Sequence, residues 1–291
     1  MTLKGWTLPL SPTGKASLLP PPPWHYSGEV ITADFIVDPA KLSPLLPTGM
    51  SPNQEGLCSF VFADWCSSAD LDPRIKDDPS SGQYHEAYLV VHGTYEGKPM
   101  GRVPFIWVDS DLSLVRGLIQ GFPKKMGIIA MTRPVEIGKG GYKREAGALF
   151  SAHLSSHGRR LATLTVRIER NGEDELPKGV ATPLLHTRLW PSLDKDVPAV
   201  WELTRAKVAD FEIANLLIGS PQLTFEDSEF EELAELEPVE MRSGYVCSVA
   251  FSVTGAVVLP VERSQNEDKA VSSPEGKASF EVDRNRGSSD E

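Results

Sequence analysis

Short stretches in which apolar and polar residues alternate fill most of the chain, and they constrain its fold more than any other feature. Alternation with a period of two is typical of strands that bury one face, and these runs end at Gly, Pro, Asn or Asp, which favour turns. The pattern predicts a mainly β fold with a few short helices, in which an antiparallel sheet forms a closed or partly closed barrel. The mouth of such a barrel can enclose a small ligand. The predicted strands are 29–37, 57–65, 84–94, 101–108, 128–135, 148–155, 160–170, 184–190, 207–213, 222–225 and 244–258.

Composition divides the 291 residues into three regions. Residues 1–23 end in four consecutive prolines, which favour extended backbone and donate no ladder hydrogen bonds, so this region is predicted to be a Pro-rich arm. Residues 24–260 contain all the predicted strands and are long enough to form one domain with a large core. Residues 261–291 are rich in Ser, Glu and Asp and have few large apolar residues, which predicts an acidic, disordered tail.

Two short helices are predicted among the strands. Asp38 followed by Pro39 is typical of an N-cap with proline at the first helical position, so a helix is expected to begin there and to end at Leu46. Residues 228–236 have an acidic pattern that indicates a second helix.

Charge and cysteine content exclude several classes of function. The formal net charge of -11, without a cluster of Lys and Arg, argues against a nucleic-acid-binding protein. No apolar run approaches the roughly 20 residues that a membrane-spanning helix needs. The three cysteines, Cys58, Cys66 and Cys247, lack paired Cys-x-x-Cys spacing, which favours free thiols in a reducing compartment and a cytoplasmic location. No metal site is predicted.

Two adjacent lysines, Lys124 and Lys125, lie in the segment 121–127, which reads Gly-Phe-Pro-Lys-Lys-Met-Gly. An ordinary lysine amine has a pKa of about 10.4, so almost none of it is free to attack a carbonyl at neutral pH. Burial beside Phe122 and Met126, together with the neighbouring cation, would disfavour the ammonium form. Lowering the pKa by about 3 to 4 units requires about 4 to 5.5 kcal/mol. The alternative is a solvated pair of lysines in a surface turn, which is usual for this residue type.

The same segment resembles the active-site segment of the acetoacetate decarboxylase family, in which the first lysine forms a Schiff base with a β-keto acid. The resemblance extends from about residue 24 to about residue 260. It implies the β-barrel fold of that family. Four further segments carry it, namely 29–47, Tyr84-His85-Glu86, 202–225 and 244–260.

The resemblance implies roles for individual residues. Lys124 corresponds to the imine-forming nucleophile, Lys125 to the cation that perturbs it, and Glu86 to an active-site carboxylate. Glu86 has an alternative interpretation as a polar residue on the outward face of an alternating strand. The other candidates for the substrate pocket are Phe122, Met126, Arg116, Tyr84, Val61 and Leu118.

Three charged groups that the family usually has are absent from this chain. Gly28 lies where an arginine is expected, Val61 lies where a second carboxylate is expected, and Leu118 lies where a glutamate precedes the lysines. These differences predict a more apolar pocket than the family norm and a larger, less charged substrate than acetoacetate.

Three functions remain open from the sequence. The first is a Schiff-base decarboxylase, a carbon–carbon lyase that acts on a β-keto acid. The second is other imine chemistry on a carbonyl compound, such as aldol, retro-aldol or dehydration reactions, with Glu86 as acid or base. The third is a non-covalent member that binds a small molecule, or catalyses a reaction in its pocket, without using the lysine. No cofactor is expected, because the imine itself supplies the electron sink, and the resemblance implies a homo-oligomer.

Overall fold

The computed structural model describes residues 2–172, 175–193 and 200–259. Within these ranges the chain is mainly β, as predicted. The strands are β1 Trp24–Ile36, β2 Met50–Pro52, β3 Leu57–Ala69, β4 Gln83–Tyr95, β5 Lys98–Arg102, β6 Ile106–Val108, β7 Lys124–Met126, β8 Ile128–Met131, β9 Leu149–Ser156, β10 Arg159–Asn171, β11 His186–Trp190, β12 Val200–Phe225 and β13 Glu240–Leu259. The helices are α1 Pro39–Leu42, α2 Arg74–Asp77, α3 Pro79–Gly82, α4 Asp111–Gln120 and α5 Lys178–Ala181, with 3-10 turns at Ser43–Leu45 and Leu233–Leu236.

One sheet contains all of these strands, in the order β7-β6-β4-β3-β1-β13-β12-β10-β9-β8, with β2 and β5 beside β4 and β11 beside β12. The predicted closure into a barrel is not confirmed, because no ladder joins β7 to β8 among the described residues. The two end strands are nevertheless consecutive in the chain and separated only by Gly127. A single residue cannot form the two-residue turn that an antiparallel hairpin needs, so the ends of the sheet meet without pairing.

Most predicted strands overlap an observed strand, with two differences. The predicted strand 101–108 is divided into β5 and β6 around Pro104, which has no backbone N–H to donate to a ladder. The predicted strands 207–213 and 222–225 are parts of β12, which is 26 residues long. This strand stays continuous because register shifts absorb its irregular positions, including Asp210 and Asn215 with φ of 53° and 54°.

The helices agree less well with the sequence pattern. Helix α1 begins as predicted, because the Asp38 carboxylate accepts a hydrogen bond from Ala40 N at 2.9 Å. The acidic segment 228–236 forms only the 3-10 turn Leu233–Leu236. Helix α4 was not predicted, although Ser110 caps its first turn and Gly121 ends it with a φ of 99°.

Both faces of the central strands are buried. On β3, Phe60 and Phe62 point into one apolar core, and the alternate residues Val61 and Ala63 point into a second core. The same alternation on β4 places Glu86 on the face of the second core, with Tyr84 and Tyr88 as its neighbours on that face. The candidate site therefore belongs to the second core.

The structure describes the predicted arm before the central sheet but not the predicted tail after it. Residues 2–23, the predicted arm, contact the domain, since Leu19 is buried and the Trp6 ring lies 5.7 Å from the Trp24 ring. The predicted tail 261–291 lies outside the described residues. No helix in the described part of the chain has the length and apolar character to cross a membrane.

Candidate active site

The backbone around Lys124 is set by the end of α4. Gly121 adopts a left-handed conformation, and its N–H donates to Gly117 O at 2.9 Å, which ends the helix and turns the chain into β7. The Lys124 side chain then folds back across the face of α4 at Gly117. A Cβ at position 117 would lie 2.5 Å from Lys124 Cε and nearer still to Cδ, so only glycine leaves room for the lysine stem.

The Lys124 amine is buried beside a carboxylate and a hydroxyl group. Its Nζ donates to Glu86 Oε2 at 2.6 Å and to Ser113 Oγ at 3.0 Å, and only 7% of the side chain is exposed. The rings of Tyr84 and Phe122 lie 5.6 and 5.7 Å from Nζ. The structure thus brings Lys124 and Phe122 of one predicted segment together with Tyr84 and Glu86 of another.

Burial lowers the pKa of the Lys124 amine from its ordinary value, because the apolar surroundings disfavour the ammonium form. The Glu86 carboxylate opposes this effect, and the Arg116 guanidinium adds to it. Arg116 is 1% exposed and lies over the Tyr26 ring at 4.8 Å, while its Nη2 donates to Ser67 Oγ at 3.3 Å. The site therefore contains a fixed, buried cation close to the amine.

Lys125 does not have the role that the resemblance implied. Successive strand residues point to opposite faces, so the Lys125 side chain lies away from Lys124. Its Nζ donates to Glu231 and lies 4.9 Å from the Trp107 ring, and 42% of the side chain is exposed. The cation that lowers the pKa of Lys124 is accordingly Arg116 rather than Lys125.

The Lys124 amine faces a cavity of about 630 Å³. Aromatic and apolar side chains form much of its wall, and α5 with the residues after it forms another part. Two candidates for the substrate pocket, Tyr84 and Phe122, line the cavity together with Glu86. The remaining aromatic and apolar lining includes Tyr26, Trp65, Tyr88, Phe211, Val249 and Phe251.

Four other predicted pocket residues do not line this cavity. Met126 is 50% exposed and borders a separate surface cavity with Asp64 and His85. The other three are not among the lining residues either. Val61 is fully buried against Gly179, Leu118 is half-buried on α4, and Arg116 packs among the rings of Trp24, Tyr26 and Tyr84.

The position of Gly28 explains why an arginine is absent there. A Cβ at Gly28 would lie 2.5 Å from Trp65 Cε3 and even closer to the backbone of Asp64. A side chain at this position would displace Trp65, which itself lines the cavity.

Five polar residues that line the cavity were not indicated by the sequence, namely Gln120, Thr182, His186, Arg205 and Lys207. Thr182 follows α5, the other four belong to α4, β11 and β12, and no motif connects them in the sequence. Neither Arg205 nor Lys207 forms an ion pair within the described residues. Together with Lys124 they give the cavity more cationic than anionic side chains, since Glu86 is the carboxylate among its lining residues.

The fold and the site together define the class of protein. It is a β-rich enzyme in which a wrapped, mainly antiparallel sheet buries the amine of a lysine beside a glutamate in a cavity. The chain belongs to the acetoacetate decarboxylase family, because the sequence model of that family matches residues 7–261. None of the curated protein sequences compared with the chain matches it.

Solved structures of the same fold identify relatives. The enduracididine biosynthesis enzyme MppR, solved in complex with the condensation product of pyruvate and imidazole 4-carboxaldehyde, has a TM-score of 0.84 and 36% identity over 89% of this chain and 97% of MppR. A complex of MppR with pyruvate gives the same TM-score and identity, over 89% of this chain and 99% of MppR. An acetoacetate decarboxylase-like enzyme from Sphingomonas wittichii RW1 has a TM-score of 0.80 and 29% identity over 88% of this chain and 100% of that chain.

A more distant structure shares the fold alone. Acetoacetate decarboxylase from Legionella pneumophila has a TM-score of 0.72 at 18% identity, over 89% of this chain and 97% of that chain. Family membership and these relatives support an enzyme and leave its reaction open.

Proposed function

We propose that this protein is a Schiff-base enzyme in which Lys124 forms an imine with a keto acid, and that the resulting enamine condenses with a second carbonyl compound. The observation that carries the proposal is the buried Lys124 amine, which lies 2.6 Å from Glu86 in a cavity large enough for two small substrates. Only the neutral amine attacks a carbonyl carbon, and the lowered pKa of Lys124 increases the neutral fraction at physiological pH.

Imine formation uses groups that already contact the amine. The lysine nitrogen adds to the keto carbon, and the resulting carbinolamine loses water to give the protonated imine. Glu86 takes the excess proton of the ammonium form to leave the neutral amine, and one N–H proton moves to the carbonyl oxygen as the carbinolamine forms. Glu86 then returns its proton to the hydroxyl group, which leaves as water. Ser113 Oγ, at 3.0 Å from Nζ, holds the nitrogen in position against α4.

The protonated imine then acts as an electron sink. It acidifies the C–H bonds on the adjacent carbon, and Glu86 removes one of these protons to give the enamine. The enamine carbon attacks the aldehyde carbon of the second compound, and a new carbon–carbon bond forms. The similarity to MppR, which was solved with pyruvate and with a condensation product of pyruvate and an aldehyde, supports this reaction over others.

The lining of the cavity fits an anionic keto acid, which forms the enamine, and a bulkier second carbonyl compound, which the enamine attacks. Arg205 and Lys207 offer positive charge to the carboxylate of a keto acid, in place of the arginine that Gly28 excludes. The aromatic wall offers apolar surface to the second compound, in keeping with the larger, more apolar substrate predicted from the sequence.

Decarboxylation of a β-keto acid is the second candidate, and the family name favours it. The same imine at Lys124 would accept the electron pair of the breaking carbon–carbon bond as carbon dioxide leaves. This reaction needs no acceptor aldehyde, so release of carbon dioxide distinguishes the two candidates.

Reductive trapping tests the proposal. The full chain is incubated separately with pyruvate and with acetoacetate in the presence of borohydride, and the intact mass and the modified peptide are determined. We expect an adduct on Lys124 that is lost in Lys124→Ala and retained in the matched control Lys125→Ala. A folded wild-type protein that forms no adduct with either keto acid would contradict imine chemistry and favour a non-covalent small-molecule-binding member of the family. Product analysis with imidazole 4-carboxaldehyde then separates condensation from decarboxylation.

A further inference from the structure

His186 lines the same cavity as Lys124, and its ring is held there by packing. The side chain is 1% exposed at the start of β11. Its ring contacts the Phe122 ring, with 3.8 Å between the centroids and 40° between the planes. Gly121 lies close behind it, since a Cβ at that position would be 3.0 Å from His186 Cβ. The imidazole is therefore positioned by the segment that also carries Lys124.

Neither ring nitrogen of His186 has a hydrogen-bond partner within the described part of the chain. The contrast with His92 is direct, because the nitrogens of that buried ring lie 2.8 Å from Ser59 Oγ and 3.3 Å from Thr182 Oγ1. A buried polar group without a partner destabilises the folded state, so such a group at a cavity surface points to a ligand that completes its hydrogen bonds.

The chemistry of the ring restricts that ligand. Burial, with the nearby positive charges of Arg102 and Lys124, lowers the pKa of His186 well below its ordinary value. The ring is then neutral at physiological pH and carries one N–H donor and one acceptor nitrogen. A neutral imidazole is suited to an uncharged carbonyl or hydroxyl oxygen, whereas the keto acid carboxylate is better served by Arg205 or Lys207.

We infer that His186 binds the oxygen of the acceptor aldehyde and orients its carbonyl carbon toward the enamine on Lys124. This assignment rests on the proposed function and adds the group that selects the second substrate. When the enamine carbon attacks, the electron pair of the aldehyde C=O bond moves to that oxygen. The oxygen takes the proton that Glu86 removed from the donor, and the imine forms again on Lys124. His186 donates a hydrogen bond throughout and is neither consumed nor oxidised.

The two half-reactions give separate readouts for this assignment. Exchange of the pyruvate methyl protons with deuterium, followed by NMR, requires the imine and the enamine but no aldehyde. Condensation with imidazole 4-carboxaldehyde requires both. A residue that binds only the acceptor oxygen therefore affects the second readout and leaves the first unchanged.

Substitution of His186 in the full-length chain provides the test. In His186→Phe and His186→Leu we expect methyl exchange and borohydride trapping within about threefold of wild type, while kcat/KM for the aldehyde falls roughly 10- to 100-fold. His186→Gln, which keeps a donor and an acceptor, is expected to recover part of the loss. His153→Phe, on β9 and away from the cavity lining, serves as the matched control.

Several outcomes would overturn the assignment. Equal loss of exchange and condensation in a folded nonpolar variant would show that His186 only supports the cavity, and unchanged condensation would show that it does not touch the acceptor. Failure of either nonpolar variant to fold leaves the other for the comparison, and failure of both, with His186→Gln folded, would assign the residue to stability. Absence of trapping and of exchange in wild type would instead refute the proposed imine chemistry.

Discussion

Substitution of Gly117 by alanine should slow the reaction at Lys124 strongly and change the stability of the protein little. An alanine Cβ at position 117 would lie 2.5 Å from Lys124 Cε, whereas ordinary contacts begin at about 3.4 Å, so the lysine stem must move by about 1 Å. Alanine is favoured over glycine inside a helix by roughly 0.5 to 1 kcal/mol, which offsets the weakening of the Nζ hydrogen bonds to Glu86 and Ser113. We therefore expect the free energy of unfolding to change by no more than about 1 kcal/mol.

The same displacement should have a large effect on the reaction. A misplacement of about 1 Å can lower a rate about 100-fold, because the reacting atoms leave their productive geometry. The assay is the rate of borohydride trapping with pyruvate, measured beside thermal unfolding. Gly140→Ala is the matched control, since a Cβ at Gly140 meets no atom within 4 Å.

Two results would refute this reasoning. A Gly117→Ala variant that is trapped within about threefold of the wild-type rate would mean that the lysine stem has more room than the structure gives it. A variant whose free energy of unfolding is much lower than that of wild type would mean that the Lys124 side chain cannot move away from the added Cβ. In the Lys124→Ala background the stem is absent, so Gly117→Ala should stabilise the protein by roughly 0.5 to 1 kcal/mol.

Three further predictions concern charged and titratable groups. Because burial lowers the pKa of Lys124 and Glu86 opposes this, trapping should rise with pH through a midpoint below 10.5, and Glu86→Gln should move that midpoint lower; an unchanged midpoint would contradict the pairing. Lys125→Met should keep trapping within about threefold and lower the unfolding temperature, because Glu231 loses its ion-pair partner. Burial, with a smaller effect of a nearby lysine, lowers the pKa of His92 to about 4, so between pH 6.5 and 4 the unfolded chain binds a proton that the folded chain does not. Wild type should therefore lose on the order of 3 kcal/mol relative to His92→Gln as the pH falls through that range, and parallel unfolding curves would contradict this.

The strands and helix ends that the sequence predicted well are those that depend on residues close together in the chain. The strands β9 and β10 bury every second residue along much of their length, and they form where the period-two pattern predicts them. The start of α1 was found because Asp38 and Pro39 have a local effect on the backbone. Helix α4 was missed because its ten residues include a glycine and its buried face carries Ser113 and Arg116 beside Leu112, although Ser110 and Gly121 were signals of its ends.

The strand-end geometry decided which lysine enters the cavity. Adjacent strand residues point to opposite faces, and the sequence does not state which face carries the cavity. That choice depends on the packing of β7 beside β6 and on the turn at Gly121, and it places Lys124 beside Glu86 and Lys125 beside Glu231. The predicted perturbing cation was therefore replaced by Arg116 on α4.

By itself, the sequence determined a mainly β chain and the segment that carries the lysine, and it left open the face of the strand on which Glu86 lies. The tertiary structure alone decided that the sheet wraps without closing, and that His186, Arg205 and Lys207 converge on Lys124 from strands far along the chain. The physical reason is the range of the interactions. Alternation and capping act within a few residues, whereas a cavity is made by contacts between residues that only the pairing of distant strands brings together.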